Sequence, residues 1–170
     1  MMKGLFKVGW MALLLMSLLA CGKEDDVRAI RKLVDKGAAL GEKHDISGLM
    51  KLSTEDLLAL PGDLDRRSVR MILWRAFQYY GAFKVLRPLT KVTVESEGKK
   101  ASASFPFLVV REEVSIPRLK DLAQDPKQWL EEVGENADLY ALDMELVKDS
   151  GEWLVRRVTL KRFSGWSFKE

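Results

Sequence analysis

The chain carries one cysteine, Cys21, and one histidine, His44, so chemistry resting on sulfur or imidazole must be built around a single residue of each kind. A thiolate is a nucleophile that can be acylated, and a lone cysteine exported to an oxidising compartment has no partner within the chain. His44 stands beside Asp45, and together they could abstract and return a proton as a general base. The plainer reading of the same pair is a solvent-exposed helix-end histidine next to a capping aspartate. Asp143, Glu145, Arg157 and Lys161 would make a polar site if their face turned inward; as cross-strand pairs on a solvated face they do no chemistry, and that is the reading preferred here. No Ser-His-Asp order, phosphate-binding glycine loop or pair of carboxylates at recognisable spacing is present, so no catalytic or cofactor-binding residue is assigned outside the His44 and Asp45 alternative.

Cys21 closes the run Leu18-Leu19-Ala20-Cys21. Before it come a basic leader, Met1 to Lys7 with Lys3 and Lys7, and an apolar stretch from Val8 to Ala20 broken only by Gly9 and Ser17. Basic, apolar and small-residue parts in that order read as an export signal. Thirteen residues of helix cover about 20 Å, short of the roughly 30 Å hydrocarbon core, so a permanent transmembrane helix is not expected. The four residues resemble the bacterial lipobox, with Leu19 larger than the usual residue at its position. The resemblance implies cleavage between Ala20 and Cys21, a diacylglyceryl group on the Cys21 thiol and acylation of the new amine. One acyl chain holds marginally, whereas two or three anchor stably. Gly22 follows the cysteine where aspartate would signal inner-membrane retention, so the resemblance also implies an outer-membrane lipoprotein facing the periplasm.

Without residues 1–20 the 28 basic residues fall to 26 against 25 acidic ones, and the formal charge falls from +3 to +1. So even a balance gives no electrostatic footprint for nucleic acid. With Cys21 acylated and no second histidine, only carboxylates remain as metal ligands, and no metal site or cofactor is assigned. The expected partners are the membrane, through the lipid, and an envelope protein or a small apolar ligand.

The elements that must position these residues are legible from periodicity. Asp25 or Asp26 is expected to cap a helix with Val27, Ile30, Val34 and Ala38 on one face, and Asp45 a short helix through Leu52. Ser53 to Leu60 reads as a short strand or as irregular chain. After the Pro61-Gly62 turn, Asp65 caps the clearest helix, with Val69, Ile72, Leu73, Ala76, Phe77 and Tyr80 inward and Gly81 as its stop. From Leu89 the period becomes two. Lys91 to Glu95 pairs with a strand carrying Ala101, Ala103, Phe105, Phe107 and Val109, in which Pro106 predicts a bulge or an edge. Residues 117–133 read as two short helical pieces. A three-residue loop at Asp149-Ser150-Gly151 would set Leu146 opposite Leu154, Asp143 opposite Arg157 and Asp138 opposite Arg162.

The resulting class is α+β, with N-terminal helices packed on a curved antiparallel sheet. In element order, in the Glu42-Lys43-His44-Asp45 junction and in the closing Gly151-Glu152-Trp153-Leu154-Val155 strand, the chain resembles the nuclear transport factor 2-like superfamily, a cone-shaped α+β barrel. The expected organisation is a signal peptide at 1–20, lipidated cysteine and tether at 21–26, the α+β domain at 27–163 and a tail at 164–170 carrying Trp166 and Phe168. The resemblance implies a cone lined by Trp74, Phe77, Tyr80, Phe105, Phe107 and Tyr140. It accommodates a non-catalytic binding or assembly module, which is preferred here. The alternative is an isomerase or hydratase-like enzyme using His44 or Asp45 as base in the cone.

Overall fold

A computed structural model describes residues 5–111, 137–164 and 167–169, with side chains described for 24–111 and 137–162. The expected helical pieces at 117–133, and Trp166, lie outside the described residues. Helix α1 (Leu5–Glu42) is continuous, which corrects the expected start at Asp25 or Asp26, and the segment expected as lipidated cysteine and tether, 21–26, lies within its helical backbone. No proline interrupts the span, and a single interior glycine such as Gly22 costs only about 1 kcal/mol. Relieved of capping, the Asp26 carboxylate accepts from Lys148 Nζ at 2.6 Å and from Trp153 Nε1 at 3.0 Å. Among the described residues, no helix is long and apolar enough to cross a membrane.

Ile30 and Val34 are the buried stripe of α1, as its periodicity predicts. The helix ends at His44, whose φ of 56° is left-handed. The Asp45 amide bonds Leu40 O at 2.9 Å and the His44 amide bonds Gly41 O at 2.9 Å, the paired bonds of a Schellman stop. Asp45 then caps α2 (Ile46–Lys51) by accepting from the Gly48 amide at 2.8 Å. Helix α3 (Arg66–Tyr80) starts at Asp65, which accepts from the Ser68 amide at 2.8 Å, and stops at Gly81, φ +61°. Phe77 is buried, but Ile72 is 45% and Trp74 58% exposed, so neither belongs to the core as expected. The inward stripe of Val69, Leu73, Ala76, Phe77 and Tyr80 already fills one face of the helix, and the steps to 72 and 74 rotate away from it.

The strands are β1 (Ser53–Leu60), β2 (Leu64–Asp65), β3 (Phe83–Leu86), β4 (Lys91–Val94), β5 (Lys100–Arg111), β6 (Ala137–Asp149), β7 (Glu152–Ser164) and β8 (Ser167–Lys169). They form one curved sheet in the order β2-β1-β7-β6-β5-β3, with β4 also on β5 and β8 on β7. The sheet is mixed rather than purely antiparallel, because β1 runs parallel to β7. Pro106 lies in a central strand without a bulge. β5 pairs with β6 along its length, while its other edge meets β4 at 101–104 and β3 at 108–111, so Pro106 falls in the gap between those two partners.

The β6–β7 hairpin also departs from its expected register. Ser150 and Gly151 both have positive φ, 49° and 89°, so the turn needs only two residues and Asp149 pairs with Glu152. Leu146 therefore faces Val155, and a bulge at Arg156 shifts the rest so that Glu145 rather than Asp143 faces Arg157. Ion pairing survives the shift: Arg162 reaches Asp138 diagonally at 2.7 Å and Lys161 reaches Asp143 at 3.5 Å.

Alternation along the strands decides which sheet face meets the helices. Ala101, Ala103, Phe105, Met144, Leu146, Trp153 and Val155 close over Ile30 and Val34 in the main core. Burial of each larger side chain contributes about 1.5–3 kcal/mol. The other face of β4 to β7 carries the intervening polar residues.

Candidate functional site

At the end of the core farthest from the hairpin turns, Phe77, Phe83 and Val109 pack with Leu73, Phe107 and Tyr140 into an aromatic cluster. Phe107 stacks on Tyr140 with ring centroids 5.5 Å apart. Above these rings sits a polar group. Tyr80 donates to Asp138 Oδ2 at 2.5 Å, and the hydroxyls of Tyr80 and Tyr140 are 2.8 Å apart. With its one hydrogen given to Asp138, Tyr80 accepts from Tyr140. Asp138 Oδ1 accepts from Arg162 at 2.7 Å.

Burial, the bond to Asp138 and the bond to Tyr140 together push the Tyr80 phenol well above its ordinary range, so it is a donor and not a base. The same carboxylate raises the Arg162 guanidinium further. Each oxygen of Asp138 is already engaged. Among the described residues the arrangement is a hydrogen-bond network in which Asp138 is engaged on both oxygens, so using it as a general base would require breaking one of these bonds.

His44 is exposed and stacks on Phe77 at 4.7 Å and on Phe83 at 5.4 Å, covering the edge of the aromatic cluster from outside. Among the described residues no ionisable side chain hydrogen-bonds or ion-pairs with it, and Asp45 Oδ1 accepts the capping bond from Gly48. Cys21 and Ala20 lie within the helical backbone of α1; their side chains are outside the described set.

Two pockets among the described residues lie outside the core. One is an open groove of about 360 Å³ on the helix-free face of the sheet, lined in part by Lys91, Thr93, Ser102, Ser104, Asp143, Glu145, Arg157 and Thr159. It gathers three of the four charges singled out in the sequence. They are tied in pairs: Ser104 Oγ donates to Asp143 at 2.6 Å and Arg157 to Glu145 at 3.1 Å. The other is a groove of about 560 Å³ between β1 and the β6–β7 hairpin, where Arg156 meets Asp56 at 3.1 Å. Of the basic residues on α3, Arg66 turns in to Glu55 and to Met50 O, while Arg67, Arg70 and Arg75 are exposed. Among the described residues, no group of three or more His, Cys, Asp or Glu could hold a metal ion.

The Tyr80 and Asp138 pair escaped sequence reasoning. Its members are 58 residues apart on elements whose mutual placement depends on the whole sheet. The Asp138 and Arg162 pair was visible, as opposite charges near one another across an expected hairpin.

Helices on one face of a curved, mostly antiparallel sheet, with an aromatic end closed by β3, α3 and β6, define the nuclear transport factor 2-like cone. A nuclear transport factor 2-like protein with a cystatin-like fold from Novosphingobium aromaticivorans superposes with a TM-score of 0.58 at 18% identity, over 97% of this chain and 94% of that one. A scytalone dehydratase-like protein of the same organism gives 0.62 at 14%, over 85% and 89%. Bd1075 of Bdellovibrio bacteriovorus gives 0.59 at 12% over 81% of this chain, which spans only 40% of that protein. These similarities are of fold. No family model matches the chain, and no curated protein matches it in sequence.

Proposed function

We propose that the protein is a membrane-anchored bacterial envelope lipoprotein whose domain is a non-catalytic binding or assembly module. The observation that carries the non-catalytic part is the engagement of Asp138 by Tyr80 and Arg162, which leaves no free base at the aromatic end of the cone among the described residues. The anchor reading rests on Leu18 to Cys21 after a basic and apolar leader, and the outer-membrane reading on Gly22. The helix-facing side of the sheet carries the buried clusters of the core, so the open face with its 360 Å³ groove is favoured as the surface for an envelope partner over the interior as a site for a small apolar ligand.

The scytalone dehydratase-like neighbour keeps one alternative in view, a hydratase-like enzyme with His44 or Asp45 as base. Against it stand the exposure of His44 and the capping bond of Asp45.

Two measurements test the proposal. Cys21→Ser should leave the membrane fraction and lose the mass of the acylated mature chain; unchanged fractionation and mass would remove the anchor. Native mass spectrometry of the protein released from membranes should show no co-purifying small molecule. A retained small-molecule mass would turn the cone into a ligand site.

A further inference from the structure

Helix α1 joins the proposed anchor to the domain without a break, and it is fixed to the sheet at several heights. At its membrane end Asp26 binds Lys148 and Trp153, beside the turn at Gly98, where an added methyl group would come within 3.9 Å of the carboxylate. The two hairpin turns are themselves joined, Lys148 N to Lys99 O at 2.9 Å. Farther along, Ile30 and Val34 enter the core and Asp35 pairs with Arg87. At the far end Glu42 accepts from the Val85 amide at 2.8 Å. A helix held in this way cannot swivel against its sheet, so the direction in which it leaves the domain is a fixed property of the fold.

From Cys21 to Asp26 the helix rises only about 7.5 Å, and from Asp26 to Glu42 about 24 Å more. We infer that the domain stands upright on the membrane, with its two hairpin turns toward the headgroups and its aromatic end, with Tyr80 and Asp138, turned away into the aqueous space. The inference rests on the lipid-anchor reading of Cys21 and adds a posture to it. The short helical stalk, in place of a loose tether, keeps the turns within about one helix diameter of the bilayer. A soluble molecule then reaches the aromatic end from the aqueous side, and the sheet groove faces sideways along the membrane surface.

The test uses the full chain, lipidated in a bacterial host and reconstituted into phosphatidylethanolamine and phosphatidylglycerol vesicles that contain a nitroxide-headgroup lipid. Cys21 is the only native cysteine and is acylated, so Glu97→Cys at a hairpin turn and Gln78→Cys on the distal part of α3 each offer one thiol for a fluorophore. Loss of fluorescence at 97 with retention at 78 is the expected result. Equal quenching, or stronger quenching at 78, in protein that floats with the vesicles overturns the upright posture and leaves the anchor intact. Protein that does not float with the vesicles overturns the anchor reading, and the posture with it. Adding Asp26→Ala should shrink the difference between the two labels; an undiminished difference would remove Asp26 from the clamp.

Discussion

The hydroxyl of Tyr80 donates to Asp138 at 2.5 Å, joining the last turn of α3 to the start of β6 across 58 residues of sequence. It is a polar link between the helical layer and the far end of the sheet. Tyr80→Phe keeps the ring packing and removes the hydroxyl, leaving a partly buried carboxylate with Arg162 alone. The expected cost is about 1–3 kcal/mol in urea unfolding, the range for a hydrogen bond to a charged group and the desolvation left behind. A loss within error would mean that water replaces the hydroxyl freely and that the cluster is open.

The same residue predicts an alkaline limit. Burial first, then the bonds to Asp138 and Tyr140, raise the Tyr80 phenol above its ordinary 10.0. The folded protein therefore holds a proton that the unfolded chain releases above about pH 10, so stability present below that pH is lost as pH rises past it. Wild type should lose stability between pH 9 and 11 more steeply than Tyr80→Phe, read from urea midpoints at fixed ionic strength (about 0.1 M, where the Debye length is about 10 Å). Parallel curves would contradict this.

Asp26 sets the acid side. Desolvation raises its pKa, but the bonds from Lys148 and Trp153 outweigh it, and the net shift is downward. Its stabilisation is full above the unfolded value of about 3.9 and disappears as pH falls toward the lower folded value. Asp26→Asn should be less stable than wild type by about 1–3 kcal/mol at pH 7, and the gap should narrow at about pH 3. Fluorescence of Trp153, read in a background where the other tryptophans are replaced by phenylalanine, is the probe of the Nε1 contact. A gap that stays constant with pH would show that charge is not what holds α1 to the hairpins.

His44 occupies the position after the end of α1 where glycine is usual, at φ 56°, with the two Schellman bonds around it. His44→Ala loses the stacking on Phe77 and Phe83 and keeps the backbone strain. His44→Gly loses the stacking but relieves the strain. The glycine variant should be the more stable of the two by about 1 kcal/mol, reversing the order found inside helices. Thermal unfolding of both variants decides it, and an alanine variant at least as stable would show that the junction relaxes.

How much of this was legible in the sequence follows from how local each cause is. Asp45, Asp65 and Gly81 act within a turn of themselves, and all three stand where spacing predicts. Ile30 and Val34 follow from a period of 3.6, and Ala101, Ala103 and Phe105 from a period of two. The β6–β7 register was missed because Ser150 takes a left-handed conformation that its type does not announce, and because Arg156 bulges where the strand must also pair with β1. The parallel pairing of β1 on β7, and β3 itself, depend on contacts between segments far apart in the chain. The aromatic residues of the cone were visible as a set, but Trp74 was misplaced because its neighbours already satisfied the helix face.

The sheet groove offers the sharpest separation of stability from assembly. Glu145 and Arg157 face each other across β6 and β7, with contacts of 3.1 and 3.3 Å and side chains 60% and 45% exposed. An ion pair that wet couples by about 0.2–1 kcal/mol, because water screens both partners and ordering two side chains has an entropic cost. A double-mutant cycle with Glu145→Gln and Arg157→Gln, read from urea unfolding of dilute protein, should give coupling in that range. Close charge pairs withdrawn from water at an interface couple by about 1.5–7 kcal/mol in such cycles, so a coupling in that range would mean that another protein surface already covers the face. If the face binds a partner only at the membrane, the coupling should stay small in detergent. It should rise when the same cycle is measured on the lipidated protein in native membranes, where each single variant would lose the partner while retaining its fold.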